Sequence, residues 1–335
     1  MHDWVRRTVS AGPMVALTLA ILAVPFSTAA QTSSKSYRVG HLFGGGRTAD
    51  GLPPRPLRDA LRELGYVEGR NVLYEARFAE GQIDQLPALA AELVRVKVDV
   101  IVAQGGAAAF AAKQTTSTIP IVIAPASGDA VAIGLIESLA RPGGNVTGMT
   151  DEIVQLSAKR VEMLKEALPK AGSIAVIWNA NDKGMTLRYR GIELAAQTLR
   201  LDVQALGVRE PDDFAVAFST MTRRRPDALF LVADAFTSRH GKRVIEFAAS
   251  HRIPTMYEFS FLVRDGGLMS YGPSPDEAFR RAAIYIDRIF KGAKPADLPA
   301  EQPTRYYLSV NLKTAATLGL SLPPSLLLRA DDVIQ

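Results

Sequence analysis

The sequence alternates between short strand-like runs and longer helix-like segments, and this alternation constrains the fold more than any other feature. The first series has strand-like runs at residues 37–43, 71–78, 98–103 and 119–123. A second series has them at residues 173–178, 203–208, 228–233 and 254–257. Strands that alternate with helices form parallel sheets covered on both faces. We therefore predict an α/β protein with two doubly wound parallel-sheet lobes.

Apolar residues at helical spacing predict the helices of this pattern. They are expected at residues 56–64, 84–94, 133–139, 154–168, 186–199, 238–250, 275–290 and 315–320. A further alanine-rich helix should open at Gly105 and Gly106. Right-handed crossovers then place the carboxyl ends of all strands of a sheet at one edge.

Three extended segments between chain breakers indicate how the two lobes are joined. They lie at residues 143–151, 266–273 and 304–311, which suggests a chain that crosses, returns and crosses again. The sequence thus predicts a three-segment hinge between one lobe of residues 36–150 plus 271–303 and another of residues 151–270 plus 304–335. With the first segment as part of this hinge, Gly148→Pro is expected to slow closure of the lobes without unfolding either.

The N-terminal residues have the pattern of a secretory signal. Arg6 and Arg7 precede an apolar run at residues 14–26, which small residues follow, so we expect residues 1–30 to be a cleaved signal peptide. The apolar run is too short for a comfortable membrane span. The sequence has no cysteine, which excludes disulfides, thiol catalysis and a lipid anchor on cysteine. A periplasmic location is the simplest expectation.

Charge and motifs argue against several classes of function. The net charge of +5 is spread along the chain, and the tight basic run at residues 223–225 is best explained as a solvated helix end, so no nucleic-acid partner is expected. Residues 44–46 are glycines, but Ala49 stands where a dinucleotide fingerprint needs its last glycine. The four histidines have no metal-ligand spacing. We expect no metal, no cofactor and no enzymatic activity.

Ligands of open α/β sheets bind beyond the carboxyl edge of the strands, so the strand ends supply the candidate residues. In the first lobe these are Phe43, Gln104, Gly105 and Ser127. Gly105 precedes a helix whose free N–H groups suit a carboxylate, although a tight turn alone would also require a glycine there.

The second lobe supplies residues at the ends of three strands. Asp234 directly follows an apolar strand, where it could bind a ligand ammonium group or cap the next helix. Glu258 is a second candidate for the ammonium group, Asn179 ends another strand, and Tyr257 could offer an aromatic surface. Two further candidates lie on the predicted crossings, namely Thr150 and Tyr271.

Several stretches resemble the tryptophan/tyrosine-type substrate-binding proteins of bacterial ABC importers. They are LRELGYVEGRN at 61–71, LPALAAEL at 86–93, LARPGGNVTG at 139–148, GGLMSYGP at 266–273, KGAKPADLP at 291–299 and NLKTAATLGLSLPPS at 311–325. They occur in order and span essentially the whole chain after the signal segment.

The resemblance implies a type I periplasmic-binding-protein fold that closes on a small solute. It also implies delivery of that solute to a membrane permease powered by a separate ATPase. The resemblance does not define the solute, and our hypothesis is an aromatic or branched amino acid. A monomer is expected. A sensor that presents its ligand to a signalling partner is the alternative that the sequence leaves open.

Overall fold

A computed structural model describes residues 35–125, 128–150 and 153–335 of the chain. Residues Lys35–Gln335 form one compact unit. The predicted signal peptide lies outside the described residues, and so do Ser127 and Asp151. None of the helices in the described part is both long enough and apolar enough to cross a membrane.

The first sheet has five strands, all parallel, in the order β2-β1-β3-β4-β5. The strands are β1 (Tyr37–Phe43), β2 (Val72–Phe78), β3 (Val100–Gln104), β4 (Ile121–Ile123) and β5 (Val146–Gly148). The helices between them are α1 (Arg55–Glu63), α2 (Leu86–Arg95) and α3 (Gly106–Thr115), with a short 3-10 turn at Ile83–Gln85. The central strand β3 is buried almost throughout, because helices cover both faces of a parallel sheet.

The second sheet has seven strands in the order β12-β11-β10-β9-β8-β6-β7. They are β6 (Ser173–Asn179), β7 (Asp202–Val208), β8 (Ala228–Leu231), β9 (Thr255–Tyr257), β10 (Met269–Gly272), β11 (Tyr307–Asn311) and β12 (Asp332–Ile334). The helices are α4 (Ile153–Ala167), α5 (Lys183–Thr198), α6 (Asp213–Arg223), α7 (Ala235–Arg239), α8 (Gly241–Ser250), α9 (Ser260–Arg264), α10 (Pro275–Phe290), α11 (Leu312–Leu318) and α12 (Pro324–Leu327), with a 3-10 turn at Pro295–Asp297.

The pair β10 and β11 is antiparallel, which corrects the prediction that both sheets are purely parallel. The reason is the path of the chain. After β10 the chain goes back to the first lobe and forms α10, and it enters β11 only when it returns. The two strands therefore run in opposite directions although they are neighbours in the sheet.

Helix α10 packs on the first lobe even though the strands before and after it belong to the second sheet. Its residues Phe279, Ala282 and Ile286 share a buried cluster with Val39 of β1 and Leu57 of α1. This packing supports the predicted division into two lobes, whose exact boundaries stay a proposal. The predicted boundary at residue 271 falls inside β10, so the return crossing begins only after that strand.

The predicted helix at residues 133–139 is wrong. This stretch forms a series of turns, in which Gly134 has a φ of 83° and Lys113 donates hydrogen bonds to the carbonyls of Gly134 and Leu135. Ile133, Leu135 and Ile136 are buried in the core of the first lobe. Their apolar spacing comes from the packing of a loop and not from a helix.

The first and third crossings run side by side between the lobes. Met149 pairs with Glu301 in a parallel bridge, and the backbone N–H of Thr150 donates to the carbonyl of Glu301 at 2.9 Å. Glu301 in turn donates its N–H to the carbonyl of Gly148 at 2.9 Å. Both segments lead from the first lobe to the second, which explains their parallel direction.

Gly148 is required by packing, so the expectation that Gly148→Pro leaves both lobes folded needs correction. Its φ of 117° is incompatible with proline, and a Cβ placed there would lie 2.5 Å from the carbonyl oxygen of Ile123. We predict that Gly148→Ala lowers the free energy of unfolding by ~1–3 kcal/mol or more. The cost of a positive φ and the cost of the overlap between the new Cβ and the carbonyl of Ile123 add to each other.

Urea denaturation measures this effect, and Gly144→Ala is the matched control. A Cβ at Gly144 meets no atom within 4 Å and its φ is not positive. Equal unfolding midpoints for the two variants would show that the close approach of β5 to β4 at Gly148 carries no cost.

Candidate ligand-binding site

A cavity of about 400 Å³ lies between the two lobes, at the carboxyl ends of their strands. The first lobe contributes to its lining Phe43, Gly44, Ile83, Gln104, Gly105, Gly106, Ala107, Ala108 and Pro125. The second lobe and the return crossing contribute Asp182, Ala233, Asp234, Ala235, Ser238, Phe259, Phe261 and Pro275. A chamber of about 700 Å³ adjoins the cavity and shares Ile83, Ala107 and Asp182 with it.

The first-lobe wall presents the N-terminus of α3. Gly105 precedes this helix with a φ of 93°, a conformation that favours glycine, and no side chain caps the helix. The first hydrogen bond of the helix runs from the N–H of Ala109 to the carbonyl of Gly105 at 3.1 Å. The N–H groups of the first turn have no acceptor within the helix, and the helix dipole favours a negative group there.

The second-lobe wall carries two carboxylates. Asp234 caps α7: one of its oxygens accepts from the N–H of Thr237 at 2.7 Å, and the other accepts from the amide of Asn179 at 2.7 Å. Asp182 caps α5 by accepting from the N–H of Met185 at 3.1 Å. Burial raises the pKa of both carboxyls, and the charge of Asp182 raises the pKa of Asp234 further.

These two carboxylates give the second-lobe wall a negative charge, which favours a positive group beside it. No arginine or lysine occurs among the described residues that line the 400 Å³ cavity. A ligand that brings a cation next to Asp182 and Asp234 would relieve the repulsion between two half-buried negative charges.

Three aromatic rings contribute to the apolar lining of the cavity. Phe43 comes from the end of β1, whereas Phe259 and Phe261 follow β9. The rings of Phe259 and Phe261 are nearly parallel, with centroids 5.9 Å apart. Stacked and offset ring arrangements of this kind suit a flat or branched apolar group.

The lobes touch each other across the cleft, so the structure represents a closed state. A Cβ on Gly44 of the first lobe would lie 3.2 Å from the Cβ of Ala235 in the second. Glu80 and Arg239 form an ion pair of 3.7 Å between the lobes. Leu187 of α5 also packs against the core cluster of the first lobe.

The structure brings five of the ten predicted residues to the cleft. Phe43, Gln104, Gly105 and Asp234 line the cavity, and Asn179 lines the adjoining chamber while it holds Asp234. Asp234 caps a helix, which is one of its two predicted roles, and its place in the lining of the cavity leaves the binding of an ammonium group as a proposal. Ser127 lies outside the described residues.

Thr150 and Tyr271 do not reach the cavity, which corrects their prediction as parts of its floor. The hydroxyl of Thr150 is buried, where it accepts from the N–H of Ala130 and donates to the carbonyl of Gly128. The ring of Tyr271 is half-buried against the core of the second lobe, 5.9 Å from the ring of Tyr306.

Tyr257 and Glu258 are also corrected, because both side chains point into the second lobe. Tyr257 is fully buried in the core. The carboxylate of Glu258 is buried and forms ion pairs with Arg160 at 2.9 Å and Arg188 at 2.7 Å. Neither residue is available for direct contact with a ligand.

The sequence reasoning missed Asp182, Phe259 and Phe261. A signal for them existed, since Asp182 follows the end of β6 as Asp234 follows the end of β8, and the two phenylalanines follow β9. A metal site was not predicted, and the described residues contain no cluster of three or more histidine, aspartate or glutamate side chains that could hold a metal ion.

Two α/β lobes, joined by three crossings and closed around a cavity, define a binding protein of the periplasmic type. Residues 54–334 match the family model described as "ABC transporter substrate binding protein", and the chain belongs to this family. The predicted family and the predicted two-lobed α/β fold are thus confirmed. Proteins of this family act outside the cytoplasm, bind a small molecule and typically work with a permease.

Comparisons with known proteins found three similar proteins of note. The "Tyrosine-binding protein" of Clostridioides difficile (strain R20291) is 25% identical over 261 residues, which are 78% of this chain and 74% of that protein. The structure of an ABC domain in complex with L-Trp from Streptococcus pneumonia has a TM-score of 0.83 at 25% identity and covers 90% of this chain and 100% of its own. A conserved domain protein of Vibrio cholerae O1 biovar eltor str. N16961 has the same TM-score, 0.83, at 25% identity, with coverage of 89% and 100%.

Proposed function

We propose that this protein binds an amino acid with an aromatic or branched side chain and delivers it to the permease of an ABC importer. The permease would be driven by a separate ATPase. The protein would act as a monomer in the periplasm, after removal of residues 1–30, and would not convert its ligand chemically.

One observation carries this proposal: the cavity combines two opposite charge preferences with an apolar surface. The uncapped N-terminus of α3 on one wall suits a carboxylate. Asp182 and Asp234 on the other wall suit an ammonium group. Phe43, Phe259 and Phe261 offer the apolar surface between them. An amino acid with a large apolar side chain presents all three features at once.

The size of the cavity and the relatives support the same class of ligand. A volume of about 400 Å³ is at the small end of the range of ligand pockets, roughly 300–1,000 Å³. The relatives described as a tyrosine-binding protein and as a complex with L-Trp point to aromatic amino acids.

Calorimetric titration of the purified protein tests the proposal with ligands that differ in one charge. L-Tryptophan, L-tyrosine, L-phenylalanine and L-leucine are compared with tryptamine, which lacks the carboxylate, and with indole-3-propionate, which lacks the amine. We expect at least one of the four amino acids to bind. We expect tryptamine and indole-3-propionate each to bind at least about tenfold more weakly than L-tryptophan, since each lost charge-assisted hydrogen bond contributes about 1.5–3 kcal/mol.

Thermal shift measurements with sugars and purines provide the counter-test. A ligand that binds only the folded state raises the melting temperature by mass action. A sugar or a purine that raises it, while no amino acid does, would contradict the proposed ligand class.

A further inference from the structure

A histidine lies in the core of the first lobe directly behind the cavity. His41 is fully buried in β1, with the rings of Phe43, Phe78 and Phe279 around it at 5.7–6.3 Å between centroids. Burial lowers the pKa of its imidazole to about 4, so the ring is neutral at neutral pH. A polar ring in such a place is costly unless it forms a hydrogen bond.

His41 forms that hydrogen bond with Gln104, which lines the cavity. Its Nε2 lies 3.1 Å from Oε1 of Gln104. The register of β1 and β3 places Phe43 opposite Gln104, so His41 is two residues back and on the same face of the sheet. A carboxamide oxygen can only accept a hydrogen bond, so this contact requires the ring proton of His41 to be on Nε2.

This bond engages the oxygen end of the Gln104 amide, whose side chain lines the cavity. With the oxygen held by His41, the NH₂ group is the end that remains for the cavity. Gly105 and the free N–H groups of α3 follow directly in sequence, so the donors of the side chain and of the helix lie next to each other.

We propose that His41 is a positioning residue for ligand selection: it holds the Gln104 amide with its donors toward the cavity and so gives the first-lobe wall a preference for a ligand oxygen anion. The identity of that anion as the carboxylate of an amino acid rests on the proposed function. The orientation of Gln104 does not rest on it.

The opposite arrangement would have a different consequence. If the proton were on Nδ1, Nε2 would accept from the NH₂ group of Gln104, and the amide oxygen would face the cavity. The wall would then place an acceptor beside the site of a carboxylate and repel it. The tautomer of His41 therefore decides whether Gln104 presents a donor or an acceptor to the cavity.

Two-bond ¹H–¹⁵N correlation NMR of the ligand-free protein measures this tautomer. The sequence has four histidines, and the signals that His41→Phe removes identify the ring. We expect Nε2 protonated and Nδ1 unprotonated at pH 7. A proton on Nδ1 would overturn the proposal, and this result stands whether or not an amino acid is the ligand.

A double-mutant cycle with Gln104→Met tests the effect on binding. His41→Phe should weaken binding of the amino acid about five- to tenfold, which corresponds to the net contribution of one hydrogen bond to affinity. It should leave the binding of tryptamine unchanged. In the Gln104→Met background His41→Phe should have no further effect. His41→Gln, which keeps an N–H donor, should restore part of the affinity and replaces His41→Phe in the cycle if that variant does not fold.

Phe78→Leu is the matched control, because its ring also contacts His41 and lies outside the lining of the cavity. It should change stability and leave the preference for amino acid over tryptamine intact. Equal effects of His41→Phe in both backgrounds, or an equal loss for tryptamine, would show that His41 is only a core residue. If no amino acid binds the wild-type protein, the proposed function fails, and the NMR result still decides the orientation of the Gln104 amide.

Discussion

Replacing Asp182 or Asp234 by Asn should weaken the binding of an amino acid by about 1.5–3 kcal/mol, or roughly ten- to hundredfold. Each carboxylate lines the cavity and also caps a helix, through Met185 and Thr237 respectively. Asparagine is as good a helix cap as aspartate, so the substitution removes the charge and keeps α5 and α7. For Asp182→Asn the loss should therefore appear in calorimetric affinity and much less in stability, whereas Asp234→Asn also loses the hydrogen bond from the amide of Asn179 and should lower stability as well.

Two controls separate the charge effect from a general disturbance. Glu246→Gln removes a carboxylate that is exposed on α8, where it pairs with Lys242 at 3.8 Å, and should not change affinity. Indole-3-propionate, which has no ammonium group, should bind the Asp182→Asn variant no more weakly than it binds the wild type. Equal losses for both ligands, or unchanged affinity for the amino acid, would remove the carboxylates from the ammonium site.

The same carboxylates should make binding dependent on pH. Burial raises the pKa of Asp182 and Asp234 in the empty site, and a bound ammonium group would lower it again. Binding is thus strongest above the pKa of the empty site and is lost as the pH falls through it. Binding titrations from pH 7 downward should show that the loss of affinity begins at a higher pH than the ordinary pKa of an aspartate would give. Asp182→Asn should reduce this dependence of affinity on pH.

The alternation of strands and helices was sufficient to predict most of the fold, because burial imposes a period on the sequence. Strand β1 was predicted at its observed bounds, and α10 was placed on the first lobe from the extended segments on each side of it. The failure at residues 133–139 has the same origin. Apolar residues that pack a loop against a core can repeat at helical spacing, and only the tertiary contacts distinguish the two cases.

The site was only half predictable, since a strand end defines an edge of the sheet and not the direction of a side chain. Gln104 and Asp234 point into the cavity, whereas Tyr257 points into the core. Because successive side chains of a strand alternate between its faces, an uncertainty of one residue reverses the prediction. The ion-pair partners of Glu258, Arg160 and Arg188, could not be predicted for another reason: they lie 98 and 70 residues away in sequence.

Glu258→Gln should lower the free energy of unfolding by about 3–5 kcal/mol, the usual cost of breaking a buried ion pair. The carboxylate of Glu258 accepts from Arg160 at 2.9 Å, from Arg188 at 2.7 Å and from the N–H of Ala233 at 3.0 Å. Glutamine has the same size, so no cavity forms, but the buried guanidinium groups of Arg160 and Arg188 lose the negative charge of Glu258. Urea denaturation followed by the fluorescence of Trp178 in β6 reports this change in the second lobe.

The same variant should also weaken ligand binding, because the ion pairs of Glu258 connect the hinge to the cavity wall. Arg160 donates to the carbonyl of Tyr271 at 2.6 Å, in the strand that precedes the return crossing. Ala233, held by Glu258, lines the cavity next to Asp234. Glu162→Gln on α4 of the second lobe is the matched control: its carboxylate pairs with Lys159 at 3.2 Å on the exposed surface, so the loss of this pair should cost less than about 1 kcal/mol. Equal losses of stability for the two variants would contradict the role assigned to the buried charge of Glu258. A loss of stability with unchanged affinity would show that Glu258 stabilises the fold and does not affect ligand binding.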